Sequence, residues 1–224
     1  MPPDYDVITF DCYGTLIDWE RGIAEAFTAA AAADGVTLEP EAVLRAYHEL
    51  EPRIQAERYR RYREVLALAA RAVAERLGWK LAAGRESFLP ESLPSWPPFS
   101  DTNDALRRLQ DAGYRLVILS NVDDDLLAGT RRHLSAAFDF VITAQQVGSY
   151  KPAPGHFTAA RARIGAARWA HVAQSYFHDV QPARALGVPS VWINRKGERP
   201  LDGRGADHEF RSLAAAAEFL TEPS

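Results

Sequence analysis

Apolar positions in this chain fall into two regimes. Val7, Ile8 and Phe10 form a short run suited to a strand buried on both faces, and it stops abruptly at Asp11, Tyr13, Gly14 and Thr15. From Trp19 to Asp34 the spacing becomes helical, with Ile23, Ala26, Phe27, Ala30 and Ala31 on one stripe that ends at Gly35. Helical spacing resumes from Glu41 to Leu77, with Pro52 as the expected break or kink, and a short helix is expected near Gly84 to Leu89. Pro90, Pro94, Pro97 and Pro98 then predict a stiff, hinge-like stretch.

Beyond the prolines, helix and strand alternate. Helices are expected at Asp101 to Ala112, Asp124 to Ser135, Pro154 to Ile164, Gln181 to Leu186 and Leu213 to Leu220. Strands are expected at Leu116 to Leu119, Phe140 to Thr143, Ala170 to Ala173 and Ser190 to Ile193, with an edge strand at Glu209 and Phe210. This alternation implies right-handed βαβ units, hence an α/β fold with a doubly wound parallel sheet that Val7 to Phe10 joins as first strand. The helical block interrupts the alternation just after Asp11. It therefore reads as a cap, residues 18–97, inserted into a core of 1–17 and 98–224.

Composition narrows the classes. The chain has 224 residues, 47% of them hydrophobic, enough for a core with a smaller insert. A net charge of -4 argues against an extended nucleic-acid surface. The densest basic run, Arg58 to Arg63, is balanced by Glu57 and Glu64 and reads mainly as a solvated helix face, the alternative being that one Arg turns inward to meet an anionic substrate. The single cysteine, Cys12, excludes an internal disulfide and a cysteine-based zinc site, and alternation turns it away from Asp11. The acidic start lacks the pattern of a signal peptide, and no apolar stretch is long enough to span a membrane, so the cytoplasm is expected.

If the sheet is right, strand ends bring polar groups into one crevice: Asp11, Tyr13 and Thr15; Ser120 and Asn121; Lys151; Ser175 and Asp179. Alone, Asp11 reads equally well as a helix cap and as a nucleophile. As a set, a carboxylate, hydroxyl and amide donors, a lysine and a second carboxylate to hold it suit covalent catalysis.

F-D-x-Y-G-T-L at Phe10 to Leu16, L-S-N after the second core strand, K-P at Lys151 and the acidic loop before V-W-I-N-R resemble the motifs of the haloacid dehalogenase superfamily. The resemblance covers nearly the whole chain, helical cap included. It implies that Asp11 attacks substrate. Phosphatase members carry a second Asp two residues later as acid and base; Tyr13 stands there instead, and a phenol, with a pKa near ~10, protonates a leaving group poorly. Asp11 followed by Tyr13 and G-T-L, with W-I-N-R at Trp192 to Arg195, is similar to the L-2-haloacid dehalogenase branch.

By that resemblance Asp11 displaces halide from a short 2-halo carboxylic acid, and water hydrolyses the ester. Thr15, Ser120 and Lys151 would position Asp11 and the substrate carboxylate, Asn121 would help receive the halide, and Asp179 would pair with Lys151. No metal or other cofactor is implied. Two departures stand out. Gln174 and Tyr176 occupy positions where Ser and Asn are expected, and Ala46 falls at the cap-arginine position with Arg45 beside it, about 100° away around a helix. His178 is a candidate base for the hydrolytic water. The rival readings are a phosphate monoester phosphatase with magnesium on Asp11 and Asp179, and a non-catalytic binding protein for small molecules. The expected partner is a small anionic substrate, with no nucleic acid or membrane; a homodimer through the cap's aromatic helices stays open.

Overall fold

The computed structural model describes residues 5–200 and 202–222. Residues 1–4, where the reading of the N-terminus begins, lie outside the described residues. Six strands form one parallel sheet: β1 (Val7–Phe10), β2 (Arg115–Ser120), β3 (Phe140–Thr143), β4 (Trp169–Ala173), β5 (Ser190–Ile193) and β6 (His208–Phe210). Their order across the sheet is β3-β2-β1-β4-β5-β6. The chain winds outward from β1 in one direction and from β4 in the other, so the reversal lies between β1 and β4. In open α/β sheets such a switch point leaves a crevice beyond the strand ends.

The helices, in chain order, are α1 (Trp19–Ala33), α2 (Pro40–Glu57), α3 (Tyr62–Arg76), α4 (Phe88–Ser92), α5 (Thr102–Asp111), α6 (Asp124–Thr130), α7 (Ala144–Val147), α8 (Gly155–Ile164), α9 (Gln181–Ala185) and α10 (Leu213–Thr221). The chain divides into two compact units. One comprises the described residues of 1–17, 98–121 and 133–224, and the other 18–97 together with 122–132.

In the α/β unit, the continuous apolar runs of the central strands are explained by helices on both faces. Val7, Ile8, Phe10, Val117 and Val172 have no exposure. Each such side chain contributes about 1.5–3 kcal/mol by leaving water. On one face Val7, Val117, Leu119, Ile142 and Trp169 pack against Phe157, Ala160 and Ile164 of α8.

The helical unit buries Ile23 and Phe27 of α1, Val43 and Tyr47 of α2, and Val65, Leu66, Ala69 and Val73 of α3. Phe27 meets Phe88 edge-on at 5.0 Å. Asp18 starts α1, its side chain accepting from the Arg21 backbone N–H. Asp123 is buried, and its two carboxylate oxygens accept from the Tyr62 and Arg63 backbone N–H groups at 3.1 and 2.9 Å, capping α3 with a charge of the favoured sign.

Several expectations need correction. Pro52 does not break the helix: it lies exposed inside α2, opposite the buried stripe Val43, Tyr47 and Glu51 that holds the helix together. The break comes at 58–61, so the basic run is not one helix face. Arg60 turns inward there, donating to the Ile54 carbonyl at 3.1 Å and pairing with Glu57 at 2.7 Å. The proline stretch is largely helical up to Ser95, because Pro90 lies within α4 and Leu93–Ser95 form a further turn. The helix expected to Ser135 ends as α6 at Thr130, and a tight helical turn, Arg131–His133, follows. No helix among the described residues is long and apolar enough to cross a membrane.

Candidate active site

Asp11 follows the last residue of β1, and a bend set by Gly14, at φ 100°, returns the chain so that Thr15 faces it. Only glycine adopts that backbone conformation at no steric cost. The Thr15 hydroxyl donates to Asp11 Oδ2 at 2.9 Å and accepts from the Gln174 backbone N–H at 2.9 Å. Asp11 does not cap α1; Asp18 does. Tyr13 is half-buried beside this bend.

Lys151 has 1% exposure, and its ammonium uses all three hydrogens. It donates to Asp11 Oδ1 at 2.8 Å, Asp179 Oδ1 at 2.7 Å and the Leu119 carbonyl at 2.8 Å. Asn121 fixes the lysine's backbone from both sides: its Oδ1 accepts from the Lys151 N–H at 2.7 Å, and its Nδ2 donates to the Lys151 carbonyl at 3.1 Å. Ser120 ends β2, and its buried hydroxyl has no hydrogen-bond partner among the described residues.

Asp179 lies in a wide helical turn, Tyr176–Val180, after β4, started by Ser175. Ser175 Oγ accepts from the His178 backbone N–H at 3.1 Å and lies 3.0 Å from His178 Nδ1. Burial lowers the pKa of the His178 ring, favouring its neutral form. The sequence thus names eight residues that meet in or beside one cluster: Asp11, Thr15, Ser120, Asn121, Lys151, Ser175, His178 and Asp179. Gln174 joins it through its backbone. Tyr176 turns away, donating to Asp202 at 2.5 Å and packing edge-on against Trp192. Arg45, on α2 of the helical unit, has a side chain 72% exposed and 3.6 Å from Glu41; its neighbour Ala46 is the buried one.

Two residues of the cluster escaped the sequence reading. His171 Nε2 is 2.9 Å from Asp179 Oδ1, and Thr9 Oγ1 is 2.9 Å from His171 Nδ1. Thr9 and His171 are register partners on β1 and β4, both buried. A polar residue inside each of two apolar strand runs was the available signal. His156, also buried, lies with Nε2 3.0 Å from the Ser120 carbonyl; burial and then Lys151 push it down to about 4, so it is neutral.

The charges divide unevenly. Burial raises Asp11, and Lys151 only partly offsets this, with Asp179 adding repulsion. Burial would raise Asp179 too, but Lys151 and His171 outweigh it and hold that carboxyl well below its usual range. Asp179 is therefore the firmly ionised member, and Asp11 the more basic. A more basic carboxylate, once ionised, is the better nucleophile. The Lys151 ammonium bridges one oxygen of Asp11 and one of Asp179, and Thr15 holds the other oxygen of Asp11. Among the described residues no group of three or more His, Cys, Asp or Glu side chains is arranged to hold a metal.

Fold and site together define a hydrolase built on a carboxylate nucleophile at the switch point of an α/β sheet. Residues 5–187 match the family described as haloacid dehalogenase-like hydrolase, and the chain belongs to that family. It is 32% identical to the (S)-2-haloacid dehalogenase of Pseudomonas sp. (strain YL), with 95% of this chain and 93% of that protein covered. It is 30% identical to haloacid dehalogenase-like hydrolase domain-containing protein 3 of Mus musculus, covering 90% of this chain and 86% of that one. The L-2-haloacid dehalogenase of Xanthobacter autotrophicus shares the fold at a TM-score of 0.81 and 19% identity, covering 97% and 98% of the two chains.

Proposed function

We propose that the chain hydrolyses short 2-halo carboxylic acids through an ester on Asp11, without metal or other cofactor. The observation that carries this reading is the Lys151 ammonium seated between Asp11 and Asp179, with Tyr13 where a phosphatase needs its acid. An Asp11 oxygen attacks C2 of the substrate, forming the O–C2 bond as the carbon–halogen bond breaks and halide leaves with the electron pair. Halide needs no proton, so the absence of an acid at position 13 costs nothing. Each Asp11 oxygen has its own donor, Lys151 or Thr15. Whichever oxygen is alkylated, the other keeps a donor on the new ester carbonyl, which stabilises the oxyanion when water attacks Asp11 Cγ. Cleavage of the acyl C–O bond releases the 2-hydroxy acid and returns the carboxylate. The partnerless Ser120 hydroxyl is suited to donate to the substrate carboxylate.

The named activity of the Pseudomonas relative supports this reading, as does the Xanthobacter enzyme, of which a second structure has chloropropionic acid covalently bound. The test is halide release from 2-chloropropionate by wild type and Asp11→Asn, each with EDTA and with magnesium. Wild-type release should be indifferent to both additions, and Asp11→Asn should show none. Release of phosphate from a monoester only with magnesium would overturn the reading in favour of a phosphatase. Ligand-induced thermal stabilisation with no product from either protein would favour a binding protein.

A further inference from the structure

Below the nucleophile, on the same face of the sheet, a polar pair has no part in the chemistry above. Side chains two apart on a strand share a face, so Val7, Thr9 and Asp11 align on β1, and Trp169 and His171 on β4. A histidine and a threonine among Val7, Trp169 and Phe157 are costly unless bonded, and both are bonded. Thr9 Oγ1 is within reach of the Ala170 carbonyl at 3.1 Å and of His171 Nδ1. His171 Nε2 points at Asp179 Oδ1. A bare nitrogen lone pair there would repel the carboxylate, so Nε2 carries hydrogen, and Thr9 completes the ring's other side. Lys151 and His171 thus both end on Oδ1, and the Asp179 carboxylate cannot rotate without losing one of them.

Resting on the dehalogenase reading, we infer that His171, held by Thr9, is a positioning residue: it locks Asp179 on Lys151 so that the ammonium stays aimed at Asp11. The groups facing the ring are Asp179, Lys151 beyond it, Thr9, Phe157 and the neutral His156. His171 touches no substrate, so its loss should lower kcat and leave KM nearly unchanged. By analogy with the outer-shell partners that hold metal ligands in place, its loss should cost about 10–100-fold.

The experiment compares His171→Leu, His171→Gln and Thr9→Val with wild type by halide release, alongside thermal unfolding. His171→Leu should lose about 10–100-fold in kcat. His171→Gln, whose amide can still donate to Asp179, should recover most of it, and Thr9→Val should fall between. His171→Leu within twofold of wild type in kcat, or His171→Gln no better than His171→Leu at matched melting temperature, overturns the inference. Ring 15N NMR of the histidines supplies a readout independent of turnover, with His171 assigned by its absence in His171→Gln. A protonated-type Nε2 that shifts in Asp179→Asn is expected even if wild type releases no halide, an outcome that would sink only the dehalogenase reading. An unprotonated Nε2 overturns the positioning role itself.

Discussion

The α/β unit and the helical unit each bury ionisable side chains, but on opposite terms. In the first, Asp11, Lys151, Asp179 and His171 face one another, and opposite charges keep the carboxylate of Asp179 ionised without water. In the second, Glu51 on α2 is 8% exposed and has neutral partners, Gln55 and Tyr62. Burial dominates there and pushes its carboxyl up to about 7. Lys151 and His171 thus keep Asp179 an ion, whereas at Glu51 burial outweighs the hydrogen bonds it accepts and favours the protonated form. The first arrangement supports chemistry. The second makes the packing of α2 sensitive to pH.

The strongest way to break this contrast is Lys151→Met, which leaves two carboxylates buried without their cation. It should cost about 3–5 kcal/mol in denaturant unfolding, and halide release should fall by about 10²–10³-fold or more. Glu51→Gln should do the reverse. The Glu51 pKa is raised on folding from 4.5 to about 7, so its contribution is fully present below the unfolded value and lost as pH rises through the folded one. Above that range Glu51→Gln should stabilise by up to about 3 kcal/mol, and the fall in melting temperature between the pKa values of 4.5 and about 7 should flatten. His156 should show the opposite slope within the α/β unit. Its pKa is depressed from 6.5 to about 4, so stability is lost as pH falls through that interval. His156→Gln should remove that acid sensitivity, again worth up to about 3 kcal/mol, as read by melting temperature against pH. The smallest effect, near 1 kcal/mol by thermal unfolding, is expected for Asp18→Ala, which removes the cap of α1 but no buried charge.

Periodicity identified the strands and most helices because each central strand is mostly apolar and is followed by polar residues beyond its carboxyl end. Asp11 was legible because a charged side chain just past a buried strand has few places to go but the crevice, and Lys151 and Asp179 because they complete a set with it and fall in the expected motifs. Thr9 and His171 were missed because their bonds run between strands 161 and 162 residues apart in sequence, which no local spacing encodes. Pro52 misled because local propensity puts a break at proline, whereas the buried stripe of α2 continues past it. Arg45 and Tyr176 were weighed from motif position alone, and the direction a side chain takes depends on partners, Glu41 and Asp202, that the motif does not contain.

Cys12 follows Asp11 in the chain and has no exposure. Burial first, and then the neighbouring Asp11 charge, raise its thiol well above the ordinary range and keep it protonated. The substrates proposed for this chain are alkylating agents that modify thiolates, and the thiolate is the reactive form. Hidden and protonated, Cys12 offers such reagents no thiolate to modify. On the proposed mechanism a hard carboxylate, regenerated by water at each turnover, meets the electrophile instead.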